Sequence, residues 1–277
     1  MYKYAEFYCE QDVKILRLSF EKLTEGFMKE FNIDVKKCLT TPSLANKFFN
    51  ETVYIPNGNL YQVGGNVRIF MEDAVYGGRC MCAFNKKWAI NKDLFDYDAV
   101  SLYPSAMKRL WTVEGIPEVL KVKEPERIYS SLPDYLQKYN TKDGIGAFII
   151  EIRILKVNKH YAFPLIVQKT KEGNLNNDII DKPVIMKVDN IMLEDLIEFQ
   201  KIEFQVIKGY VWNGKRDYKI QQVIEQIFNK RLEYKKQHNP LEQLYKLIMN
   251  SSYGKTIEKP TETEIRIIKN EDFDRYF

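Results

Sequence analysis

The chain is poor in the residues that build disulfide frameworks and zinc sites. Its 277 residues include four cysteines and two histidines. No two cysteines have the C-x2-C spacing of a zinc-binding pair, which argues against a zinc site. Few, irregularly spaced thiols are typical of a reducing compartment. The cysteines are Cys9, Cys38, Cys80 and Cys82, and the histidines are His160 and His238.

Long apolar runs are also missing. No stretch has the roughly 18 consecutive apolar residues that cross a bilayer, and the first residues lack the pattern of a secretory signal peptide. The sequence contains no repeats and no low-complexity tracts. We therefore expect a cytoplasmic protein that is neither secreted nor bound to a membrane.

A strong bulk charge is the third missing feature. The 42 Lys and Arg residues against 38 Asp and Glu give a net charge of +4. Any surface that binds nucleic acid must therefore be local, for example around Lys86 and Lys87, although scattered lysines more often serve solubility. Hydrophobic residues make up 45% of the chain and aromatic residues 13%, which suits a sizeable core and leaves rings for base stacking.

One segment near the carboxyl end has two distinct faces when it is placed on a helix. Lys246, Asn250 and Tyr253 are spaced i, i+4 and i+7, so their side chains share one face. An apolar stripe occupies the opposite face, which predicts a helix buried on one side and facing a ligand on the other. The stripe consists of Leu241, Leu244, Tyr245 and Ile248.

The start of this helix carries recognisable signals. Asn239 is the expected N-cap, Pro240 fits the first helical position, and Glu242 stands where the acid of a capping box belongs.

A second amphipathic pattern precedes that helix. Arg231 and Lys235 form an i, i+4 pair, and the break at 238–240 folds the chain back, so we predict an antiparallel helical hairpin. Three cations, Arg231, Lys235 and Lys246, are then available for the phosphates of one ligand. A plain solvated face is the alternative interpretation. The apolar face comprises Ile220, Val223, Ile224, Ile227 and Phe228.

A carboxylate, Asp98, ends an alternating segment. Residues 95–99 alternate apolar and acidic side chains, which predicts a short strand, and 101–105 then form a turn before a helix begins at 106–110. A carboxylate at a strand end suits Mg²⁺, which takes few protein oxygens, and the turn can offer N–H groups to a triphosphate. Alternatively, Asp98 only caps the turn.

These two regions resemble a known family. Asp98 to Pro104 reads D-x2-S-L-Y-P, and Lys246 to Gly254 reads K-x3-N-S-x-Y-G, which are similar to motifs A and B of family B DNA polymerases. The closest resemblance is to the protein-primed branch of viruses, plasmids and transposable elements. That branch has an insertion between the motifs, to which 144–214 is similar, with GAFIIEIRIL and FPLIVQKT as predicted strands and NIMLEDLIEFQ as a predicted helix.

The resemblance extends toward the amino end. Tyr8 and Asp12, on a predicted helix, match the Y-x3-D of the third exonuclease motif, although an ordinary amphipathic helix is the alternative. Tyr76, Gly77 and Gly78 are similar to the Y-x-G-G segment that contacts template in relatives. Here no residue separates the tyrosine from the glycines.

The resemblance implies a fold, a division into domains and a missing part. The fold is α/β, a palm with an insertion subdomain and helical fingers, after the end of an RNase H-like exonuclease domain. No Asp-Thr-Asp of motif C is recognised, so we expect a fragment, a split-gene product or a remnant that is inactive alone. The implied divisions are 1–66 (exonuclease and linker), 67–115 (palm), 116–214 (palm and insertion), 215–256 (fingers) and 257–277 (return to the palm).

The resemblance also implies the reaction and its participants. The reaction is addition of deoxynucleotides to a DNA 3′ end at a two-metal Mg²⁺ site, in the cytoplasm or at a viral or host replication site. The partners are primer–template DNA, deoxynucleoside triphosphates and a terminal priming protein. A DNA-binding remnant without catalysis is the second reading. An unrelated protein with chance motifs is the third, and two long motifs in the family's order argue against it.

Individual roles follow from the resemblance. Asp98 and Lys246 are catalytic, and Asp98 with the Ala99 carbonyl holds metal. Tyr103 lies beneath the incoming sugar. The nucleotide is held by Ser101, Leu102, Tyr103, Arg231 or its neighbour Lys230, Lys235, Lys246, Asn250 and Tyr253, and DNA by Tyr76, Gly77, Gly78, Ser251 and Gly254.

Overall fold

The structure combines α-helices with one main antiparallel sheet. The computed structural model describes residues 2–78, 87, 89–99, 101–140, 145–161, 164–169, 175–176 and 182–256. In these ranges the helices are α1 (Tyr2–Phe31), α2 (Thr41–Phe49), α3 (Gly65–Glu72), α4 (Leu102–Met107), α5 (Asp134–Gln137), α6 (Asn190–Gln200), α7 (Lys219–Lys236) and α8 (Glu242–Thr256). The strands are β1 (Thr112–Val113), β2 (Glu118–Val119), β3 (Ile145–Val157), β4 (Gln168–Lys169), β5 (Leu175–Asn176), β6 (Val184–Asp189) and β7 (Ile202–Asp217).

The main sheet has the order β1-β7-β3-β6, and β2 also pairs with β7. Alternate residues of β3 are buried on one face, as expected for a strand with one covered side. Helix α6 follows β6 directly and contributes Leu193 and Leu196 to the same core. This sheet and its helix form the first of two cores. The buried β3 residues are Phe148, Ile150, Ile152 and Ile154.

A second core joins the end of α1, helix α2, and helices α7 and α8. Its apolar stripes interdigitate: Phe27 and Phe48 come from the amino-terminal helices, Ile224 from α7 and Ile248 from α8. Met107 of α4 belongs to the same core and is 6% exposed. Helix α4 is thereby held against both α7 and α8.

Several predicted elements of the insertion are confirmed and one is wrong. NIMLEDLIEFQ is α6, and GAFIIEIRIL lies within β3. FPLIVQKT was predicted as a strand, but in its described part only Gln168 and Lys169 are in a strand. Leu165 and Ile166 instead donate their N–H groups to the side-chain oxygen of Gln200, so a side chain satisfies backbone groups that a strand would have paired.

The strand predicted at 95–99 is also wrong. Residues 89–99 carry no regular secondary structure, and Phe95 and Tyr97 are 72% and 88% exposed. A strand is stabilised by a neighbouring strand and by a covered face. Among the described residues, neither is present beside this segment.

The helix predicted around Tyr8 and Asp12 is confirmed as α1, and both side chains are exposed. Leu16 and Phe20 are also exposed, so the early turns of α1 do not pack on the described part of the chain. No helix within the described ranges is both long enough and apolar enough to cross a membrane. Lys86, Cys80, Cys82 and the predicted return at 257–277 lie outside the described residues.

Candidate functional site

Helix α8 presents the two faces that its sequence predicts. Lys246 and Asn250 are exposed, and Tyr253 is half-buried. On the other side Leu244 and Ile248 are buried in the second core. The apolar face holds the helix in place because its burial removes hydrocarbon from water. The opposite face, with Lys246 and Asn250, remains exposed.

The start of α8 follows the prediction in part. The side-chain oxygen of Asn239 accepts a hydrogen bond from the N–H of Leu241 at 3.0 Å, as a cap does. The regular helix begins at Glu242, two residues after Pro240. The Glu242 carboxylate does not complete a capping box, because it lies 3.4 Å from Arg231 of α7.

Arg231 joins three segments of the site. Its Nη1 donates to the Ser101 Oγ at 3.1 Å, and its Nε lies 3.4 Å from the carboxylate of Glu242. Both members of the ion pair are largely buried, with side chains 17% and 18% exposed. Hydrogen bonds of this charged kind are among the stronger ones in proteins. Arg231 therefore fixes the motif A turn against the two helices, while Lys235 and Lys246 stay exposed.

The motif A turn itself has an unusual backbone. Ser101 has φ 52° and ψ 49°, the left-handed conformation that costs a residue with a side chain of order 1 kcal/mol or more. Helix α4 begins directly after it at Leu102, so the helix predicted at 106–110 starts earlier than expected and ends at Met107. Pro104 is compatible with this position, because the first turn of a helix needs no N–H donor there.

Two contacts bring motif A and motif B side by side. The rings of Tyr103 and Tyr253 lie 5.1 Å apart between centroids, tilted by 32°. The buried hydroxyl of Ser252, the residue before Tyr253, lies 3.7 Å from the sulfur of Met107, which follows Tyr103 by one helical turn. Neither Met107 nor Ser252 was predicted to join the motifs. The spacing of four between Tyr103 and Met107 is the sequence signal that indicates a shared face.

Asp98 lies just before this junction and is exposed. Ser101 follows it by three positions, so their Cα atoms lie within about 11 Å of each other. Its carboxylate and the Ala99 carbonyl are hard oxygen donors, a donor type that fits Mg²⁺ bound together with phosphate oxygens and water. Among the described residues, no three Asp, Glu, His or Cys side chains are grouped to hold a metal ion by themselves.

The Tyr76 segment is attached to the edge of the main sheet. The Tyr76 hydroxyl donates to the Lys187 carbonyl at 3.2 Å and accepts from the Lys187 N–H at 3.3 Å. Both groups belong to edge strand β6, and burial raises the pKa of Tyr76, which keeps the donor proton in place. Gly77 and Gly78 are exposed beside it. The tyrosine side chain thus anchors the segment and the glycines form its open surface.

The remaining predicted DNA contacts sit at the end of α8. Ser251 is half-buried and Gly254 is exposed, and a Cβ at Gly254 would meet no atom within 4 Å. A backbone this open permits close approach of a ligand.

Sequence comparison places this geometry in a family. A family model for DNA polymerase type B, organellar and viral, matches residues 2–276. A DNA polymerase of Kluyveromyces lactis is 23% identical over 98% of this chain and 26% of its own length. A probable DNA polymerase of Neurospora intermedia is 25% identical over 96% of this chain and 26% of its own. The chain spans about a quarter of the length of these curated relatives.

Solved structures share the fold. Phi29 DNA polymerase in an orthorhombic crystal form has a TM-score of 0.56 and 18% identity, covering 85% of this chain and 39% of that one. Its complex with primer–template DNA and incoming nucleotide substrates has a TM-score of 0.52 and 16% identity, covering 82% and 37%. The mixed helical and antiparallel architecture therefore resembles that of phi29 DNA polymerase. With the match over residues 2–276, the chain belongs to the organellar and viral type B DNA polymerases.

Proposed function

We propose that this chain carries the nucleotide-binding half of a polymerase site that adds deoxynucleotides to a DNA 3′ end in viral, plasmid or transposon replication. The observation that carries the proposal is the junction of motifs A and B. Arg231 bonds to Ser101 across 130 residues of sequence, and Tyr103 contacts Tyr253. Asp98, Lys246 and Asn250, which belong to the two joined motifs, are all exposed.

In this proposal each exposed group has a distinct task. Lys246 and Lys235 neutralise the charge of the triphosphate, and the Ser101 and Leu102 backbone approaches its oxygens. Asn250 and Tyr253 flank the base. The Arg231 guanidinium already bonds to Ser101 and Glu242 within the protein, so it acts on the nucleotide chiefly by holding Ser101 in place. Its neighbour Lys230 is likewise paired within the protein, with Glu233 at 2.9 Å.

Asp98 and the Ala99 carbonyl would hold magnesium with the nucleotide. The metal, when bound, supplies positive charge to the phosphate oxygens and lowers the barrier to their displacement. Asp98 suits this task because it is exposed and adjoins the Ser101 turn.

Equilibrium binding tests the proposal. The 277-residue chain should bind dATP with Mg²⁺ more tightly than it binds dAMP, because two lysines act only on the outer phosphates. Calorimetric titrations with each nucleotide give the two dissociation constants. Equal affinity for dATP and dAMP would contradict a triphosphate site.

Replacing Tyr103 by Val should reduce the preference for dATP over ATP about tenfold. The Tyr103 ring is 53% exposed and backed by Tyr253, so it is available to fill the space that a 2′-hydroxyl would need. Competition between ATP and dATP measures the ratio. Tyr61→Val, at a tyrosine 59% exposed outside the site, should leave it unchanged. If Tyr103 served only to pack the core, its replacement would instead lower the stability of the protein and the affinities for ATP and dATP together.

We further propose that DNA runs past Gly77, Gly78, Ser251 and Gly254, and that Tyr8 and Asp12 belong to an exonuclease motif. Domain boundaries follow the divisions at 66, 115, 214 and 256, and a terminal priming protein is a partner of the insertion.

A polypeptide of these 277 residues should bind primer–template DNA without extending it. Two-metal transfer needs acidic ligands on both ions, and the recognised polymerase motifs supply only Asp98. A gel assay of primer extension with Mg²⁺ and deoxynucleotides tests this prediction. Primer extension by the polypeptide that the Asp98→Ala substitution abolishes would contradict the prediction.

A further inference from the structure

Glu30, near the end of α1, makes an unusual pair of contacts with the two fingers helices. Its Oε2 accepts a hydrogen bond from the hydroxyl of Tyr234 at 2.9 Å and from the hydroxyl of Tyr245 at 2.7 Å. Tyr234 belongs to α7 and Tyr245 to α8. The two rings also contact each other, with centroids 5.6 Å apart. One carboxylate oxygen therefore ties both helices to the amino-terminal part of the chain.

The position of these tyrosines gives the contact its significance. Tyr234 immediately precedes Lys235, and Tyr245 immediately precedes Lys246. On each helix the next residue is turned by about 100°, so each lysine is exposed on a neighbouring face while its tyrosine is held inside. A contact that fixes the positions of Tyr234 and Tyr245 relative to each other therefore also fixes the relative positions of the Lys235 and Lys246 backbones.

The surroundings support a firm attachment. Tyr245 is 6% exposed and Tyr234 and Glu30 are half-buried. Phe31 packs on Tyr245 at 4.8 Å, and Lys230 lies over the Tyr234 ring at 5.0 Å. Burial, with the nearby Glu30 carboxylate, raises the pKa of Tyr245 and of Tyr234, so both hydroxyls keep the protons that they donate.

We propose that Glu30 is a positioning residue for the nucleotide, which sets the spacing of Lys235 and Lys246 by holding Tyr234 and Tyr245. The proposal rests on the proposed triphosphate site. Glu30 touches neither nucleotide nor metal, and its effect passes through the two phenols.

The direction of the effect separates positioning from simple electrostatics. Removing the negative charge of Glu30 from beside the two fingers helices would by itself strengthen binding of a triphosphate. Loss of the correct lysine spacing weakens it. Glu30→Ala should therefore reduce the ratio of dATP affinity to dAMP affinity, both with Mg²⁺, about tenfold.

Two further variants complete the experiment. Glu30→Gln keeps a side-chain oxygen that can accept from both phenols, and it should retain most of the ratio. The double variant Tyr234→Phe with Tyr245→Phe keeps Glu30 and both rings but loses the donors, and it should reproduce the loss. Because it preserves packing, it tests positioning even if Glu30→Ala lowers the melting temperature. Glu25→Ala, at an exposed carboxylate on the same helix, should change nothing.

The outcomes are distinct. A reduced ratio in Glu30→Ala and in the double phenylalanine variant, with Glu25→Ala unchanged, supports the positioning role. An unchanged or increased ratio in the double variant overturns it. If the wild-type chain shows no preference for dATP over dAMP, the triphosphate site itself is wrong and the role of Glu30 falls with it.

Discussion

The Lys246→Ala variant is expected to bind dATP with Mg²⁺ about 10- to 100-fold more weakly than the wild-type chain. Lys246 is exposed one helical turn before Asn250, on the side of α8 that we propose to face the nucleotide. Loss of a hydrogen bond to a charged group costs about 1.5–3 kcal/mol, which corresponds to roughly this range in the dissociation constant. Calorimetric titration measures the change directly.

The specificity of this effect can be established with DNA. Lys246→Ala should leave the affinity for primer–template DNA and its salt dependence nearly intact, since we assign the lysine to the nucleotide. Lys236→Ala, at an exposed lysine that ends α7, is the matched control and should affect neither ligand strongly. A large loss of DNA affinity with a shallower salt slope would assign Lys246 to the DNA backbone instead.

The Asp98→Ala variant is expected to reverse its effect when the metal is removed. With Mg²⁺ it should bind dATP about tenfold or more weakly than wild type, because the carboxylate that shares the ion is gone. With EDTA it should bind dATP more tightly than wild type, because a negative charge no longer repels the phosphates. Paired titrations with and without the metal show both changes.

Asp93→Ala provides the comparison for this experiment. Asp93 is an exposed carboxylate in the same irregular segment, and the variant should follow the wild type under both conditions. If Asp98→Ala weakens binding equally with and without Mg²⁺, then Asp98 supports the turn only, which is the alternative that its sequence position also allows.

Helix patterns account for most of what the sequence could predict. Helix α6, the stripe on α7 and the two faces of α8 follow from residue spacing, because a helix makes its backbone hydrogen bonds within its own segment and its apolar face repeats with the helical period. The strand at 95–99 failed for the opposite reason. Alternation shows that a segment can be a strand, whereas formation depends on a partner elsewhere.

Two further features of the fold were not predicted, each for a different reason. Strand β7 alternates Ile202, Phe204 and Val206 with polar residues, so its signal was present but was not interpreted as a strand. The start of α4 depends on the left-handed backbone of Ser101, which nothing in S-L-Y-P indicates by itself.

The candidate site was predicted as residues but not as contacts. Asp98, Tyr103, Lys246 and Tyr253 could be named from motifs, while the bond from Arg231 to Ser101 spans 130 residues. Glu30 lies 204 and 215 residues from its two tyrosine partners. A lone glutamate on a helix has no feature that distinguishes it from a solvated one.

Photo-cross-linking with 8-azido-dATP tests the central claim, that motif A and motif B form one nucleotide site, most directly. The reagent is activated on the 277-residue chain with Mg²⁺, and the labelled peptides are identified by mass spectrometry. We expect label on α4 and on α8 (Leu102–Met107 and Glu242–Thr256), reduced by excess dATP and by Lys246→Ala. Label spread over other surfaces, or unaffected by dATP, would contradict a shared site.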